Sequence, residues 1–261
     1  GDELSVIGVS GIAIDPNNSN IIYLATGDTD GGDTYSIGVL KSIDGGLSWS
    51  PTGNVSGETT KLIIDPTNSN VIYLATSSGV YKTTNAGFSW NNIQGGNIRD
   101  IDMKPGSQNV IYAVTSSEFF ITTDSGTNWN TIASGLPTTS GRLAIATTAA
   151  NASYVYVLSA TTGNAFQGLY RSINSGTSFT AMNTTTDIFE STQAWYDMAI
   201  AASQTNANEI VTGVLNLWKS TNGGSSFTQL NSWSSPSASA YTHADIHYLK
   251  YYGGNLYCGS D

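Results

Sequence analysis

An all-β chain of repeated four-stranded antiparallel units, the plan of a β-propeller, is predicted by three observations. The pattern Ser/Thr-x-Asp/Asn-x-Gly-x-Ser/Thr/Asn-Trp/Phe, here called the box, occurs at 42–49, 83–90, 122–129, 172–179 and 220–227. Its closing aromatics, Trp49, Trp90, Trp129, Phe179 and Phe227, are separated by 41, 39, 50 and 48 residues. Short apolar runs rich in β-branched and aromatic residues precede each box, which favours strand over helix. A repeat of about 40 to 50 residues with four strands per unit is the signature of a propeller blade.

Each box position has a physical reason. The hydroxyl and the Asp or Asn at the third position (Asp44, Asn85, Asp124, Asn174 and Asn222) can hydrogen-bond backbone amides inside a tight turn. The glycine supplies positive φ without steric cost, and the aromatic pins the returning strand by burying itself. Three of the five boxes carry Asn where two carry Asp. A carboxylate required for chemistry would not be exchanged so freely, so the boxes read as structural. The box resembles the Asp box, or BNR repeat, of sialidases, sortilin-type receptors and the xyloglucanase-type glycoside hydrolases. That resemblance implies a propeller, as does the spacing, and points to the sortilin-like propellers of exported bacterial proteins, including those carried by type IX secretion.

The first two repeats show the unit. Residues 11–16 and 21–26 read Gly-Ile-Ala-Ile-Asp-Pro and Ile-Ile-Tyr-Leu-Ala-Thr, and 61–66 and 71–76 repeat them as Lys-Leu-Ile-Ile-Asp-Pro and Val-Ile-Tyr-Leu-Ala-Thr. Pro-Asn-Asn-Ser-Asn or Pro-Thr-Asn-Ser-Asn lies between the runs, a strong turn signal. A third strand leads into the box and a fourth follows it. Inner strands are expected to begin near 11, 61, 100, 142, 197 and 245. The blades are then 11–56, 57–95, 96–135, 136–184, 185–233 and a partial 234–261, with 1–10 as the tail of an earlier blade. The near-continuous apolar runs predict sheets covered on both faces. A single domain, incomplete at both ends and part of a ring of seven or more blades, is the expectation. Further blades or domains of the same polypeptide would then be its neighbours.

Composition bounds the partners. The chain has 261 residues, a formal charge of −10 and only nine Lys plus Arg, so the basic footprint of a nucleic-acid binder is missing. Anionic membranes are disfavoured on the same ground, and no apolar run approaches the roughly 20 residues of a membrane-spanning helix. Cys258 is the single cysteine, so no intrachain disulfide can form. An acidic, Lys-poor, hydroxyl-rich chain suits a secreted or cell-surface location.

Topology sorts the loops. Boxes and Asp-Pro turns fall at one end of the blades, as short repeated connections. The other end carries the irregular loops 27–38, 133–141, 159–168, 180–196 and 230–244, and variable loops on a rigid scaffold are where function concentrates. The candidate ligand-binding residues there are Asp28, Asp30, Asp33, Trp195, Tyr196, Asp197, Trp233, Tyr241, His243, Asp245 and His247. Carboxylates accept hydrogen bonds from sugar hydroxyls and aromatic rings stack on apolar sugar faces, so the expected ligand is a glycan or a protein. Asp28, Asp30 and Asp33, in one Gly-rich loop, are candidate calcium ligands, although the EF-hand spacing is not met. No other cofactor is expected. His243, Asp245 and His247 would share one side of a strand, which makes them zinc candidates, with polar packing at a channel mouth the favoured reading.

Catalysis is not expected. A sialidase is expected to need three convergent arginines, and this chain has only Arg99, Arg142 and Arg171, the last just before a box. The similarity to xyloglucanase-type hydrolases places Asp2 where their first catalytic Asp stands. Glu3 replaces the following Trp, and the second carboxylate would come from a separate propeller, whereas glycoside hydrolysis needs a pair. A binding or scaffolding module of a larger exported protein is the leading reading. A xyloglucanase-type hydrolase acting on β-glucans is the alternative, with Asp2 as the visible carboxylate.

Overall fold

The structure, a computed structural model, describes residues 8–32 and 34–261. Strands β1 (Val9–Asp15), β2 (Asn18–Thr26), β3 (Val39–Ser42) and β4 (Ser50–Pro51) form the first antiparallel sheet, in that order. The second has β5 (Thr59–Ile64), β6 (Ile72–Thr76), β7 (Gly79–Thr83) and β8 (Asn91–Gly95). The third has β9 (Asp100–Met103), β10 (Ile111–Val114), β11 (Phe119–Thr122) and β12 (Asn130–Ile132). The fourth comprises β13 (Arg142–Thr147), β14 (Val155–Ala160), β15 (Phe166–Ser172) and β16 (Thr180–Asn183), and the fifth β17 (Ala199–Ala202), β18 (Ile210–Gly213), β19 (Leu217–Ser220) and β20 (Thr228–Gln229). A two-stranded sheet of β21 (Ile246–Tyr252) and β22 (Asn255–Ser260) follows. These are propeller blades.

Each box joins the third strand of its sheet to the fourth: the hydroxyl residue ends β3, β7, β11, β15 and β19, and the aromatic directly precedes the next strand. In the first box, Ser42 Oγ accepts from the Gly46 amide at 2.8 Å and donates to Asp44 Oδ1 at 2.7 Å, while Asp44 Oδ1 accepts from the Ser48 amide at 2.9 Å. Thr83, Asn85, Gly87 and Ser89 repeat this. The Asp-to-Asn exchange is tolerated because the second side-chain atom reverses role. Asp124 Oδ2 accepts from Asn128 Nδ2, whereas Asn85 Nδ2 donates to Ser89 Oγ. The box glycine holds φ of 82° to 94° in all five copies, and the residue before it is also left-handed, even as Ala86, Ser125 or Ser175.

Those left-handed residues latch one sheet to the next. Tyr23 Oη and Lys41 Nζ both donate to the Ala86 carbonyl, at 3.2 and 3.3 Å. One repeat later, Tyr73 Oη and Lys82 Nζ donate to the Ser125 carbonyl, at 3.4 and 2.8 Å.

The chain divides into two compact units. The first holds the first two sheets and β9 and β10, around a core that includes Tyr23, Ala25, Leu62, Ile72, Leu74 and Trp90. The second holds most of β11, β12 and the later sheets, with Tyr156, Leu158, Leu169, Phe189, Met198 and Ile210 in its main core. The expected two-sided burial holds for β6, β10, β14 and β18, whose residues are all buried. It fails for β1, where Ile12 and Ile14 are exposed, and for the last sheet, where Tyr248, Tyr252 and Tyr257 are exposed. No other described strand covers those side chains.

Candidate functional site

Several loop limits shift. Strand β14 runs to Ala160 and β15 starts at Phe166, so the expected 159–168 loop is only 161–165. Strand β16 takes Thr180–Asn183, which leaves 184–198 as the next connection, and 230–245 is the one after. Asp197 and Asp245 therefore sit just ahead of β17 and β21 rather than on them.

Within the second unit these two connections are tied together. Gln193 Nε2 donates to Asp197 Oδ2 at 3.3 Å and, across 52 residues of chain, to Asp245 Oδ1. The Gln193 carbonyl accepts from the amides of Tyr196 and Asp197 at 2.8 and 3.2 Å, a tight turn that presents Trp195 outward. A second tie runs through buried Asn216, whose Nδ2 donates to Glu190 Oε2 at 2.6 Å and whose Oδ1 accepts from the Trp233 amide at 2.9 Å. Arg142 Nη1 holds the turn from behind by donating to the carbonyls of Ala194 and Trp195, at 3.2 and 2.9 Å.

Asp197 is fully buried, and its Oδ1 has no hydrogen-bond partner among the described residues. Burial pushes its carboxyl up to about 7, the Gln193 hydrogen bond opposes this, neighbouring Asp245 adds to it and Arg142 opposes it. A buried carboxyl that takes up a proton near neutrality beside a second carboxylate is a strongly perturbed acid, and such groups gather at functional sites.

The same turn carries an aromatic shelf. Trp195 is 53% exposed, and its ring stands 5.4 Å from that of Tyr196. Tyr196 meets His247 edge to face at 4.6 Å and donates from Oη to Asp261 Oδ2 at 3.1 Å, while His247 Nε2 lies 3.2 Å from Asp261 Oδ1. Trp233 and Tyr241 are also exposed.

The expectation that His243, Asp245 and His247 share one side of a strand is overturned. Asp245 has φ of +62°, strand β21 begins only at Ile246, and a register shift between Ile246 and Tyr248 places His247 at a bulge. His243 Nδ1 lies 3.2 Å from the Ala244 carbonyl, and His247 turns to Asp261. Among the described residues no group of three or more His, Cys, Asp or Glu side chains is placed to hold a metal ion. Of the calcium candidates, Asp28 Oδ1 accepts from the Asp30 and Gly31 amides, both at 2.9 Å, and Asp30 pairs with Arg99 at 3.8 Å. These belong to the first unit, and Asp33 and Asp2 lie outside the described residues. Sequence reasoning missed Gln193, Asn216 and Asp261.

The box end of the first unit offers a competing feature. A groove of about 560 Å³ between the first two boxes is lined by Lys41, Ile43, Pro51, Thr52 and Phe88 among others. Ile43 and Phe88 are exposed beside it.

The blades and their turns define a β-propeller protein. The profile of the Sortilin-Vps10 family (sortilin, neurotensin receptor 3) matches residues 78–250, and the chain belongs to that family. No curated protein sequence matches it. Among solved structures, an ancestral GH74 enzyme shares 21% identity at a TM-score of 0.71, over 94% of this chain and 33% of that one. A GH74 enzyme of Niastella koreensis shares 21% at 0.61, over 85% and 38%. YCF48 bound to D1 peptide shares 16% at 0.61, over 96% and 73%. The chain thus spans about a third of the length of the GH74 structures it matches, and these likenesses show a common fold.

Proposed function

We propose that this chain is a binding or scaffolding module of an exported or cell-surface protein, and that it meets its ligand, a glycan or a protein, at the irregular-loop end of the second unit. The observation that carries this is the shelf of Trp195 and Tyr196 in the turn whose Gln193 bridges the two carboxyl groups. An exposed indole on a turn fixed from three sides is a preorganised contact surface, and preorganisation lowers the cost of binding. The acidic, Lys-poor composition supports an exported location, and YCF48, a fold neighbour, is seen with a bound peptide. The exposed faces of β1 and the last sheet support packing against further blades of the same polypeptide.

The alternative, hydrolysis of β-glucans in the manner of the GH74 neighbours, has less behind it. Its candidate carboxylate, Asp2, lies outside the described residues, Asp197 is closed to a substrate by complete burial, and glycoside hydrolysis needs two carboxyl groups flanking the bond. A glycan array and a pull-down, each run with the parent chain and Trp195→Ala, test the binding reading. It requires at least one ligand that Trp195→Ala no longer retains. Turnover of β-glucan by the parent chain would replace it with the hydrolase reading.

A further inference from the structure

We infer that the shelf of the second unit docks a basic polypeptide segment, with a Lys or Arg side chain seated against Asp245 and across the face of Trp195. This rests on the binding reading above and names the partner's chemistry.

The first argument is charge. Connections 184–198 and 230–245 carry Asp187, Glu190, Asp197 and Asp245 and contain no Lys or Arg. The chain as a whole carries −10. Arg142, which reaches the back of the turn from another strand, offsets one of these charges, and the remaining excess of acids steers basic partners and disfavours acidic ones. A neutral sugar would be held by hydrogen bonds to such carboxylates but would gain no long-range steering from them.

The second is hydrogen-bond accounting at the carboxyl pair. Two carboxylates offer about eight lone-pair positions, and the single Gln193 carboxamide nitrogen is shared between them. Asp197 Oδ1, fully buried, has no partner among the described residues. Arg142, the cation that acts on Asp197, uses Nη1 on the Ala194 and Trp195 carbonyls. Half-buried Asp245, ahead of Asp197 on the path from solvent, is where an incoming ammonium or guanidinium would be taken up. The exposed indole of Trp195, two residues from Gln193 in the same turn, supplies a cation–π face.

The third is rigidity. The Gln193 bridge and the Asn216 tie fix both connections, and Asp261 holds Tyr196 through its hydroxyl. Exposed Trp and Tyr side chains on such a frame are the residue types that dominate binding hot spots.

Charge seated at Asp245 has a measurable consequence. Asp197 takes up its proton near neutrality partly because Asp245 is negative, and Arg142 acts in the opposite sense. Beyond these, the titratable groups around the shelf are His247, Asp261 and Tyr196. A cation that offsets Asp245 strengthens ionisation of Asp197, so docking expels a fraction of a proton near pH 7. A neutral oligosaccharide on Trp195 does not.

The test is calorimetry on the 261-residue chain with tetra-arginine, tetra-glutamate and cellotetraose, in two buffers of different ionisation enthalpy at pH 7. Tetra-arginine is expected to bind and to release protons, and to weaken by about tenfold or more with Asp245→Asn and with Trp195→Ala. Asn tolerates the left-handed conformation at 245 and its Oδ1 still accepts from Gln193, so this variant keeps the fold, as circular dichroism would verify. Asp197→Asn should retain binding and abolish proton release. Absence of tetra-arginine binding, or binding indifferent to both variants, overturns the inference. Cellotetraose binding lost with Trp195→Ala, without tetra-arginine binding, also overturns it while leaving the binding module intact. If no ligand of any class depends on Trp195, the broader reading falls as well.

Discussion

Replacing Asp197 by Asn should stabilise the protein at alkaline pH, and by progressively less as the pH falls towards 4. The carboxyl stands at about 7 in the folded chain against an ordinary 3.8. Between these values the folded state binds one proton more than the unfolded state. Stability therefore falls as pH rises, by about 1.4 kcal/mol per pH unit, and levels off above 7. Over the roughly three pH units concerned, the buried carboxylate costs about 4 kcal/mol at pH 8. Asn is near-isosteric and uncharged, so it removes that cost. At pH 5 the unfolded carboxyl is already ionised, so about 1.6 kcal/mol of that cost is present, and the advantage of the variant should shrink by about 2 to 3 kcal/mol between pH 8 and pH 5. Urea unfolding of parent and variant from pH 5 to 8.5 is the assay. Parallel pH profiles, or a variant less stable than the parent at pH 8, would refute the assignment of Asp197 as a proton-binding buried acid.

Other outcomes follow from the same structure. Thr83→Val should cost about 1 to 3 kcal/mol in chemical unfolding, because the buried Gly87 amide loses its 3.0 Å acceptor. Asp44 is held down to about 2, chiefly by the Ser48 hydroxyl and amide and then by Ser42, so its contribution is present above the ordinary carboxylate range and is lost as pH falls towards 2. Asp44→Asn should unfold like the parent at pH 7 and lose that acid sensitivity, as a melting series between pH 2 and 5 would register. Lys82→Met should cost about 1 to 2 kcal/mol by urea unfolding, since it removes both the donor to the Ser125 carbonyl and the ammonium over the Tyr73 ring. The exposed Ile12 and Ile14 of β1 should make the 261-residue chain associate in sedimentation, and Ile12→Ser with Ile14→Ser should reduce this. A parent chain that stays monomeric and unfolds cooperatively at high temperature would count against missing neighbouring blades.

The fold was readable because the box is local chemistry. Its hydrogen bonds span two and four residues, from Ser42 to Asp44 and from Asp44 to Ser48, so residue type and spacing suffice to recognise it. The lack of Lys and Arg in the two irregular connections was equally visible, as were Trp195, Asp197 and Asp245. What joins them was not. Gln193 reaches Asp245 across 52 residues and Asn216 reaches Glu190 across 26, and no periodicity encodes such meetings. The histidines show the same limit from the other side. Alternation along a strand would align 243, 245 and 247, yet one left-handed residue and one bulge undo it. The exposed isoleucines of β1 follow the apolar pattern of the buried second repeat, so the pattern registers the strand and not what lies against it.

The central claim is that the irregular-loop end of the second unit, rather than the box end, receives the ligand. The most direct measurement is retention of the captured ligand on immobilised parent chain, Trp195→Ala and Phe88→Ser, the last altering the groove between the first two boxes. Retention lost with Trp195→Ala and unchanged with Phe88→Ser is the predicted result. Retention lost with Phe88→Ser and kept with Trp195→Ala would contradict the account and move the site to the opposite end of the blades.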